Sequence, residues 1–295
     1  MSVKIRKAVI PVAGLGTRFL PVTKTVPKEL LPIVDKPILL FIMEEILRAG
    51  IEEVVLIQGR GKEAIDNFFD SSIELEEILE KSGRLDILKD IQAIRNNIKV
   101  VSVRQQKALG LGHAVFTARS VVEDKPFAVL LGDELMLPVP GFPSAIGQLC
   151  DMYSETGLSS VAVMKVADAD VSKYGIIGAE EVKPNRWKVT DVIEKPALAQ
   201  APSRLALPGR YVFDAKIFDY LKDSKPGKNG EIQLTDAMAS VAKSKGMLAT
   251  EVKGRRYDAG DKLGFIKANV EIALEHPEIG KGFRDYLHDL VKGWK

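Results

Sequence analysis

Residues 8–18 of the chain are AVIPVAGLGTR, an apolar run followed at once by a glycine-containing loop and a basic residue. An apolar run that ends in a glycine loop predicts a strand buried on both faces of a sheet. Further apolar runs occur at residues 54–57, 98–103 and 127–131. Helical periodicity separates them at residues 38–49 and 112–122. This alternation predicts a mostly parallel sheet covered by helices, with ligands bound beyond the carboxyl ends of its strands.

The second half of the chain has a different pattern, with strand signals separated by short turns. Strands are predicted at residues 158–166, 176–182, 187–193 and 211–213. Helices are predicted at about residues 231–243, 261–275 and 280–292. The sequence therefore predicts one α/β domain over residues 1–295, a Rossmann-like, three-layer fold whose sheet is mixed but mostly parallel.

A charged helical insertion interrupts the first half at residues 61–95. Its apolar stripe, Ile73, Leu75, Ile78 and Leu79, is modest. The stripe favours a solvated surface hairpin, and a subunit contact is the alternative.

Composition limits the classes of function that the chain can have. Its 295 residues include 42 Lys and Arg against 40 Asp and Glu, so the net charge of +2 argues against a nucleic-acid or membrane-surface binder. No apolar run approaches the roughly 20 residues that a membrane span needs. A single cysteine, Cys150, excludes an intramolecular disulfide and predicts a cytoplasmic protein.

The glycine loop, residues 13–18, has the character of a phosphate-binding loop, because backbone amides can approach an anion closely where side chains are absent. It is not a dinucleotide-binding fingerprint, since Phe19 replaces the third glycine and Gln58 ends the next strand where an acid would hold a ribose. A plain tight turn is the alternative. Arg18 and Lys28 flank a proline-containing stretch that we expect to be extended and stiff, and two cations on such a loop favour a polyphosphate site.

Two acidic motifs follow predicted strands. Asp133 ends a buried strand at the carboxyl edge of the sheet, where a carboxylate can bind magnesium, although a helix N-cap is the alternative. Asp258 is the candidate second carboxylate, and Asp261 is predicted to cap the helix that follows it.

These motifs together resemble a known family. The loop at residues 13–18 followed by Pro-Lys-Glu at 27–29 is similar to the signature of the nucleoside-diphospho-sugar pyrophosphorylases. Later segments resemble the bacterial UTP–glucose-1-phosphate uridylyltransferases within it. Those segments are residues 69–76, 104–105, 110–115, 194–196, 231–236 and 258–264. The resemblance extends from about residue 5 to 275.

The resemblance implies the nucleotide-diphospho-sugar transferase fold, with a nucleotide-binding half at residues 1–135, a sugar-phosphate-binding half at 136–260 and C-terminal helices at 261–295. It also implies an enzyme that converts UTP and glucose 1-phosphate into UDP-glucose and pyrophosphate with Mg²⁺, assembled as a homodimer or homotetramer. A thymidylyltransferase, a non-catalytic nucleotide-sugar-binding regulator and a nicotinamide-dependent oxidoreductase are the alternatives.

The resemblance further implies a role for each candidate site residue. Catalysis would depend on Arg18, Lys28 and Lys195, and the metal on Asp133 and Asp258. The nucleotide would contact Ala13, Gly14, Gly16, Thr17, Glu29, Gln105 and Gly110, with Gln106 a rival to Gln105. The sugar would contact Gly175, Glu194, Gly209 and Glu231.

Overall fold

A computed structural model describes residues 3–227 and 230–293, so the predicted domain limits at residues 1 and 295 lie outside the described residues. Within those ranges the chain forms fifteen strands and eleven α-helices. The strands are β1 (Lys7–Val12), β2 (Pro32–Ile33), β3 (Lys36–Pro37), β4 (Glu53–Gln58), β5 (Lys99–Arg104), β6 (Phe127–Leu130), β7 (Glu134–Leu137), β8 (Ser159–Ala162), β9 (Met164–Lys165), β10 (Gly175–Lys183), β11 (Arg186–Glu194), β12 (Leu205–Ala206), β13 (Arg210–Phe213), β14 (Met247–Thr250) and β15 (Arg255–Asp258). The helices are α1 (Ile38–Arg48), α2 (Glu63–Phe69), α3 (Ile73–Lys81), α4 (Leu85–Asn97), α5 (Leu111–Thr117), α6 (Arg119–Val122), α7 (Ala145–Thr156), α8 (Ile217–Asp223), α9 (Leu234–Ser244), α10 (Lys262–Glu275) and α11 (Gly280–Lys292).

The main sheet has the strand order β5-β4-β1-β6-β13-β8-β14-β11-β10-β12-β9. Strands β5, β4, β1 and β6 are parallel, and β13 enters antiparallel between β6 and β8. The chain leaves β1 toward β4 and β5 on one side and returns to β6 on the other. Such a reversal opens a crevice at the carboxyl ends of the two central strands, and the loops after β1 and β6 border it.

Alternating burial along the central strands explains the three layers. In β1, Ala8 and Ile10 face one hydrophobic core and Val9 faces the other. Helix α1 covers the first core with Ile42, and α9 covers the second with Met238. Because successive strand residues point to opposite faces, a continuous apolar run is what a sheet covered on both sides requires.

Most predicted elements of the main sheet are present, and the mostly parallel, mixed architecture is confirmed. The insertion at residues 61–95 forms three helices, α2 to α4, and α3 and α4 pack against each other as a helical hairpin. Ile73 and Ile78 are exposed on it, and Arg95 joins α4 to Glu76 of α3 through two hydrogen bonds. None of the helices formed by the described residues has the length and apolar character to cross a bilayer.

Candidate active site

Two adjoining cavities open at the carboxyl edge of the central strands. The glycine-loop compartment measures about 500 Å³ and the hairpin compartment, beside the β10–β11 hairpin, about 240 Å³. The glycine-loop compartment is lined by Pro11, Ala13, Gly14, Leu15, Gly16, Thr17, Lys28, Glu29, Gln105, Ala108, Gly110, Leu111, Ala114, Leu131, Gly132, Asp133 and Glu231. The hairpin compartment is lined by Arg18, Leu111, Leu131, Asp133, Glu134, Lys173, Tyr174, Gly175, Glu194, Lys195, Leu207, Tyr211, Glu231, Gln233, Leu234, Thr235, Met238 and Asp258. Because Leu131 and Asp133 line both, the two form one continuous cleft with Asp133 at the junction.

The glycine loop is fastened to the segment that follows it. Gly16 has a positive φ of 65°, and a Cβ there would lie 3.2 Å from the Lys28 Cβ atom. The Thr23 hydroxyl donates a hydrogen bond of 2.7 Å to the Gly16 carbonyl. A side chain at position 16 would therefore separate the loop from Lys28.

The stretch between Arg18 and Lys28 differs from the predicted extended loop. It forms short 3₁₀ turns at Thr17–Phe19, Val22–Lys24 and Lys28–Leu30, and the first α-helix of the described residues begins at Ile38. Single 3₁₀ turns need few hydrogen bonds, so they tolerate the prolines that exclude a longer helix.

Lys28 and Asp133 form an ion pair at the junction, with 2.5 Å between Nζ and Oδ2. Burial raises the pKa of Asp133, but the Lys28 ammonium and its hydrogen bond outweigh burial and lower the pKa below its ordinary value. Burial likewise lowers the pKa of Lys28, and the Asp133 and Glu29 carboxylates outweigh it and raise that pKa. Both groups are therefore ionised at neutral pH.

A short antiparallel pair, β7 with β15, brings Asp258 to Asp133. Asp258 pairs with Glu134, the residue after Asp133. A Cβ on Gly260 would lie 2.7 Å from Asp133 Oδ2 and 3.1 Å from Asp258 Oδ1, so the two carboxylates face one point that glycine leaves open. The helix N-cap alternative for Asp133 is wrong, because a strand follows it.

Two carboxylates suit magnesium, which takes oxygen ligands and commonly binds through one or two carboxylates plus substrate phosphates. Among the described residues no group of three or more His, Cys, Asp or Glu could hold a metal by itself. The donor set at Asp133 and Asp258 therefore fits a hard cation that shares its coordination with a substrate. Asp261 accepts hydrogen bonds from the amides of Leu263 and Gly264, which confirms its predicted helix cap.

Gln105 and Gly110 form one wall of the glycine-loop compartment. Gln105 is buried, and its Nε2 lies 3.3 Å from the Gly110 carbonyl oxygen and 2.9 Å from His113 Nδ1. Gln106 is exposed, so the structure places Gln105 rather than its neighbour in the cavity. Gly110 has a φ of 96°, and a Cβ there would lie 2.8 Å from the Ile232 carbonyl oxygen.

The β10–β11 hairpin presents Glu194 and Lys195 to its compartment. Gly175 pairs with Glu194, and a Cβ on Gly175 would lie 3.3 Å from Glu194 Oε2. Lys195 directly follows β11 and has a φ of 44°, which is unusual for a residue with a side chain. Strained backbone of this kind is concentrated at functional sites. The Lys195 Nζ atom lies 3.5 Å from Glu194 Oε1, and the Lys195 side chain is largely exposed.

Two of the predicted sugar-binding residues are placed differently from expectation. Gly209 lines neither cavity. A Cβ there would lie 2.7 Å from Leu131 Cδ1, so Gly209 lies behind the Leu131 side chain, and its φ is 95°. Glu231 lines both compartments rather than the hairpin compartment alone. The other fourteen predicted residues all line the cleft.

A charged network at the base of the hairpin compartment was not predicted from the sequence. Arg256 donates to both carboxylate oxygens of Glu134 at 2.8 and 2.6 Å, and its guanidinium lies 5.2 Å from the centre of the Tyr174 ring. Burial raises the pKa of Glu134 to about 8, although Arg256 opposes this shift. The position of Glu134 directly after Asp133 was the available signal.

The partner of Glu29 was not predicted from the sequence either. Glu29 is fully buried, and its Oε2 accepts a 2.7 Å hydrogen bond from Lys62 Nζ, which is buried too. Burial raises the pKa of Glu29, with Lys62 and Lys28 opposing it. The other oxygen, Oε1, has no hydrogen-bond partner among the described residues.

The described residues that line the cleft include no Ser/His/Asp or Cys/His set of the kind that activates a covalent nucleophile. Among the described residues neither compartment is lined by a cysteine or a histidine. Cys150 is buried in the core, as predicted, and burial raises the pKa of its thiol to about 12. The arrangement is therefore suited to binding and charge stabilisation rather than to a covalent intermediate.

Comparison with known proteins adds the family context. The profile of the family described as nucleotidyl transferase matches residues 7–275. A Bacillus subtilis protein named UTP–glucose-1-phosphate uridylyltransferase is 47% identical over 292 residues, which cover 99% of this chain and 97% of the relative.

Solved structures show the same similarity. One described as UDP-glucose pyrophosphorylase complexed with UDP-glucose matches with a TM-score of 0.86 and 40% identity, covering 92% of this chain and 100% of the other. A UTP-bound UGPase from Acinetobacter baumannii matches with a TM-score of 0.88 and 39% identity, covering 97% and 99% of the two chains.

Proposed function

The chain belongs to the nucleotidyl transferase family, and from this premise we propose that it transfers the uridylyl group of UTP to α-D-glucose 1-phosphate, giving UDP-glucose and pyrophosphate. The observation that carries the proposal is the two-compartment cleft with Asp133 at its junction. A reaction between two phosphorylated substrates needs two binding spaces that meet at the reacting phosphorus.

The glycine-loop compartment suits the nucleotide. The loop at residues 13–17 lines this compartment, and glycines in such a loop let backbone amides approach phosphates closely. The Gln105 amide can both donate and accept, which a base edge requires, and the Gly110 backbone lies beside it. Glu29 contributes a buried oxygen that is free to accept a hydrogen bond.

The hairpin compartment suits the sugar phosphate. Glu194 offers carboxylate oxygens to sugar hydroxyls, and Gly175 keeps the adjacent space clear. Glu231 also lines this compartment and offers a further carboxylate to sugar hydroxyls. Lys195 supplies an ammonium for the sugar phosphate, since it follows Glu194 directly and its side chain is exposed.

Magnesium would be held by Asp133 and Asp258 with oxygens of the substrate phosphates. When bound, the cation would neutralise negative charge on the substrate phosphates. Arg18 lies beside this point, with its Nη1 donating to the Gly260 carbonyl at 3.2 Å, and Lys28 is paired to Asp133. The Arg18 and Lys28 side chains would stabilise the negative charge of the departing pyrophosphate.

The reaction is a single displacement. An oxygen of the sugar phosphate forms a bond to the α-phosphorus of UTP while the bond from that phosphorus to the bridging oxygen of pyrophosphate breaks. The attacking oxygen is already anionic, so no proton has to be removed by a base. The protein contributes positioning and charge stabilisation, which is the usual source of catalysis in phosphoryl transfer.

Assembly and location are also part of the proposal. Homodimer or homotetramer assembly follows the family resemblance, and a cytoplasmic location follows from cysteine usage. Sedimentation analysis of the purified chain tests the first, and a single protomer mass would contradict it.

The proposed activity is tested by pyrophosphate release from UTP, dTTP, CTP, ATP and GTP, each with glucose 1-phosphate and magnesium. We expect a strong preference for UTP that a chelator abolishes. A preference for dTTP would assign the chain to thymidylyl transfer, and no release with any nucleotide would favour a binding role. The variant Asp133→Asn tests the metal role of Asp133. We expect its turnover to fall by orders of magnitude while its circular dichroism spectrum stays unchanged.

A further inference from the structure

Lys62 is a buried cation outside the proposed machinery. It lies just before α2, is 6% exposed, and lines neither compartment. Its ammonium contacts Glu29 Oε2 at 2.7 Å, and the Glu29 side chain is 0% exposed. Burying two charges is costly, and an apolar pair of similar volume would often be as stable. A stability role therefore explains this pair poorly.

The two oxygens of Glu29 are in different situations. Oε2 is engaged by Lys62, whereas Oε1 is buried without a partner among the described residues. An unsatisfied buried acceptor is uncommon in folded proteins, because buried polar groups normally have a hydrogen-bond partner. Glu29 lines the glycine-loop compartment but its side chain is closed to solvent, so the carboxylate has to shift slightly toward the cavity to accept that hydrogen bond from a bound nucleotide.

The loop that contains Lys62 is packed against the nucleotide loop. A Cβ on Gly59 would lie 3.0 Å from the Ala13 carbonyl oxygen. A Cβ on Gly132 would lie 3.3 Å from Glu29 Cγ. Glu29 therefore lies between the turn before Asp133, which contacts its Cγ atom, and the loop after β4. Lys62, in that loop, holds its carboxylate through a hydrogen bond.

Lys28 is a second cation close to Glu29. Lys28 is the adjacent residue in the chain and contributes to the charge environment of Glu29. Its ammonium is paired with Asp133 at the junction. Lys62 is therefore the cation that binds Glu29 directly.

We propose that Lys62 is a positioning residue for nucleotide binding: it orients Glu29 so that one carboxylate oxygen is engaged and the other accepts a hydrogen bond from the nucleoside of UTP. The inference rests on the proposed function for the identity of the nucleotide. Lys62 itself touches no substrate.

The test compares Lys62→Met, Glu29→Gln and the double variant. The affinity for UTP is measured by calorimetry without sugar phosphate, and both Michaelis constants are measured in the steady state. We expect Lys62→Met to weaken UTP binding about tenfold to a hundredfold, the value of a hydrogen bond to a charged group, and to change the KM for glucose 1-phosphate less than about twofold. In the Glu29→Gln background, Lys62→Met should have no further effect on UTP binding.

Lys36→Met is the matched control, because Lys36 forms a 2.6 Å ion pair with Glu44 and lines neither compartment. It should leave UTP affinity unchanged. If Lys62→Met does not fold, Lys62→Gln keeps a donor without the charge and should show a smaller loss of UTP affinity with the same dependence on Glu29.

Three results would overturn the inference: unchanged UTP affinity in Lys62→Met, equal loss of both substrates, or additive effects in the double variant. Failure of the proposed function gives a different result, since the wild-type chain would then bind no UTP.

Discussion

Arg210 is fully buried behind the turn that presents Asp133, and its removal gives the sharpest stability prediction. Its guanidinium donates to both oxygens of Glu45, with the shortest contact 2.7 Å, and to the carbonyls of Leu131 at 3.4 Å and Glu134 at 2.7 Å. Those carbonyls flank Asp133 in the chain. Arg210 therefore joins α1 to the turn at the junction of the two compartments.

We expect Arg210→Met to lower the free energy of unfolding by about 4 kcal/mol, since removing one partner of a buried ion pair leaves the other charge uncompensated. The double variant Arg210→Met with Glu45→Gln should recover at least half of this loss. The neutral amide oxygen that glutamine provides at position 45 can still accept the hydrogen bond that Glu45 accepts from the Ile146 amide at 2.9 Å. Equilibrium unfolding in urea measures these changes.

Arg255→Met is the control for the loss of an arginine alone. Arg255 pairs with Glu275 on the surface, where the side chains are 43% and 57% exposed. Exposed pairs contribute about 0–1 kcal/mol. A loss for Arg210→Met no larger than that for Arg255→Met, or no recovery in the double variant, would show that the buried Glu45 charge does not depend on Arg210.

Three further predictions concern single side chains. Because burial raises the pKa of Cys150 to about 12, its thiolate fraction at pH 8 is about one in ten thousand, and Ellman's reagent should label it only after unfolding; rapid labelling of the native protein would contradict its burial. Gly110→Ala should raise the KM for UTP at least tenfold, because position 110 has a positive φ and a Cβ there would lie 2.8 Å from the Ile232 carbonyl oxygen; an unchanged KM in initial-rate assays would count against a wall role. Lys195→Ala should mainly raise the KM for glucose 1-phosphate, and a rise for UTP alone would show that its assignment is wrong.

The central sheet could be predicted because its chemistry is local. Strands buried on both faces must be apolar at successive positions, and β1, β4 and β6 meet this requirement in the sequence itself. Two-residue strands such as β9 and β12 and the short pair β7 and β15 have no comparable periodicity. Their pairing depends on where the rest of the chain places them.

The candidate site likewise has residues that the sequence predicts and residues that it does not. The glycine loop and Asp133 follow apolar runs, so the topology alone places them at one edge. Asp258 could be linked to Asp133 only through the family resemblance, because the β7–β15 pairing that joins them is invisible in sequence spacing. Lys62 and Arg210 resemble ordinary surface residues in the sequence, since the burial of a charge depends on a partner far along the chain.

The central claim is that glucose 1-phosphate attacks the α-phosphorus of UTP directly, with both substrates bound in the two-compartment cleft. Its most direct test is the stereochemistry at that phosphorus, followed with one diastereomer of UTP that has sulfur on the α-phosphorus. A single in-line displacement predicts UDP-glucose of inverted configuration, as expected of a cleft lined by no cysteine or histidine among the described residues. Retention of configuration would require two displacements through a nucleotidyl-enzyme and would contradict the account.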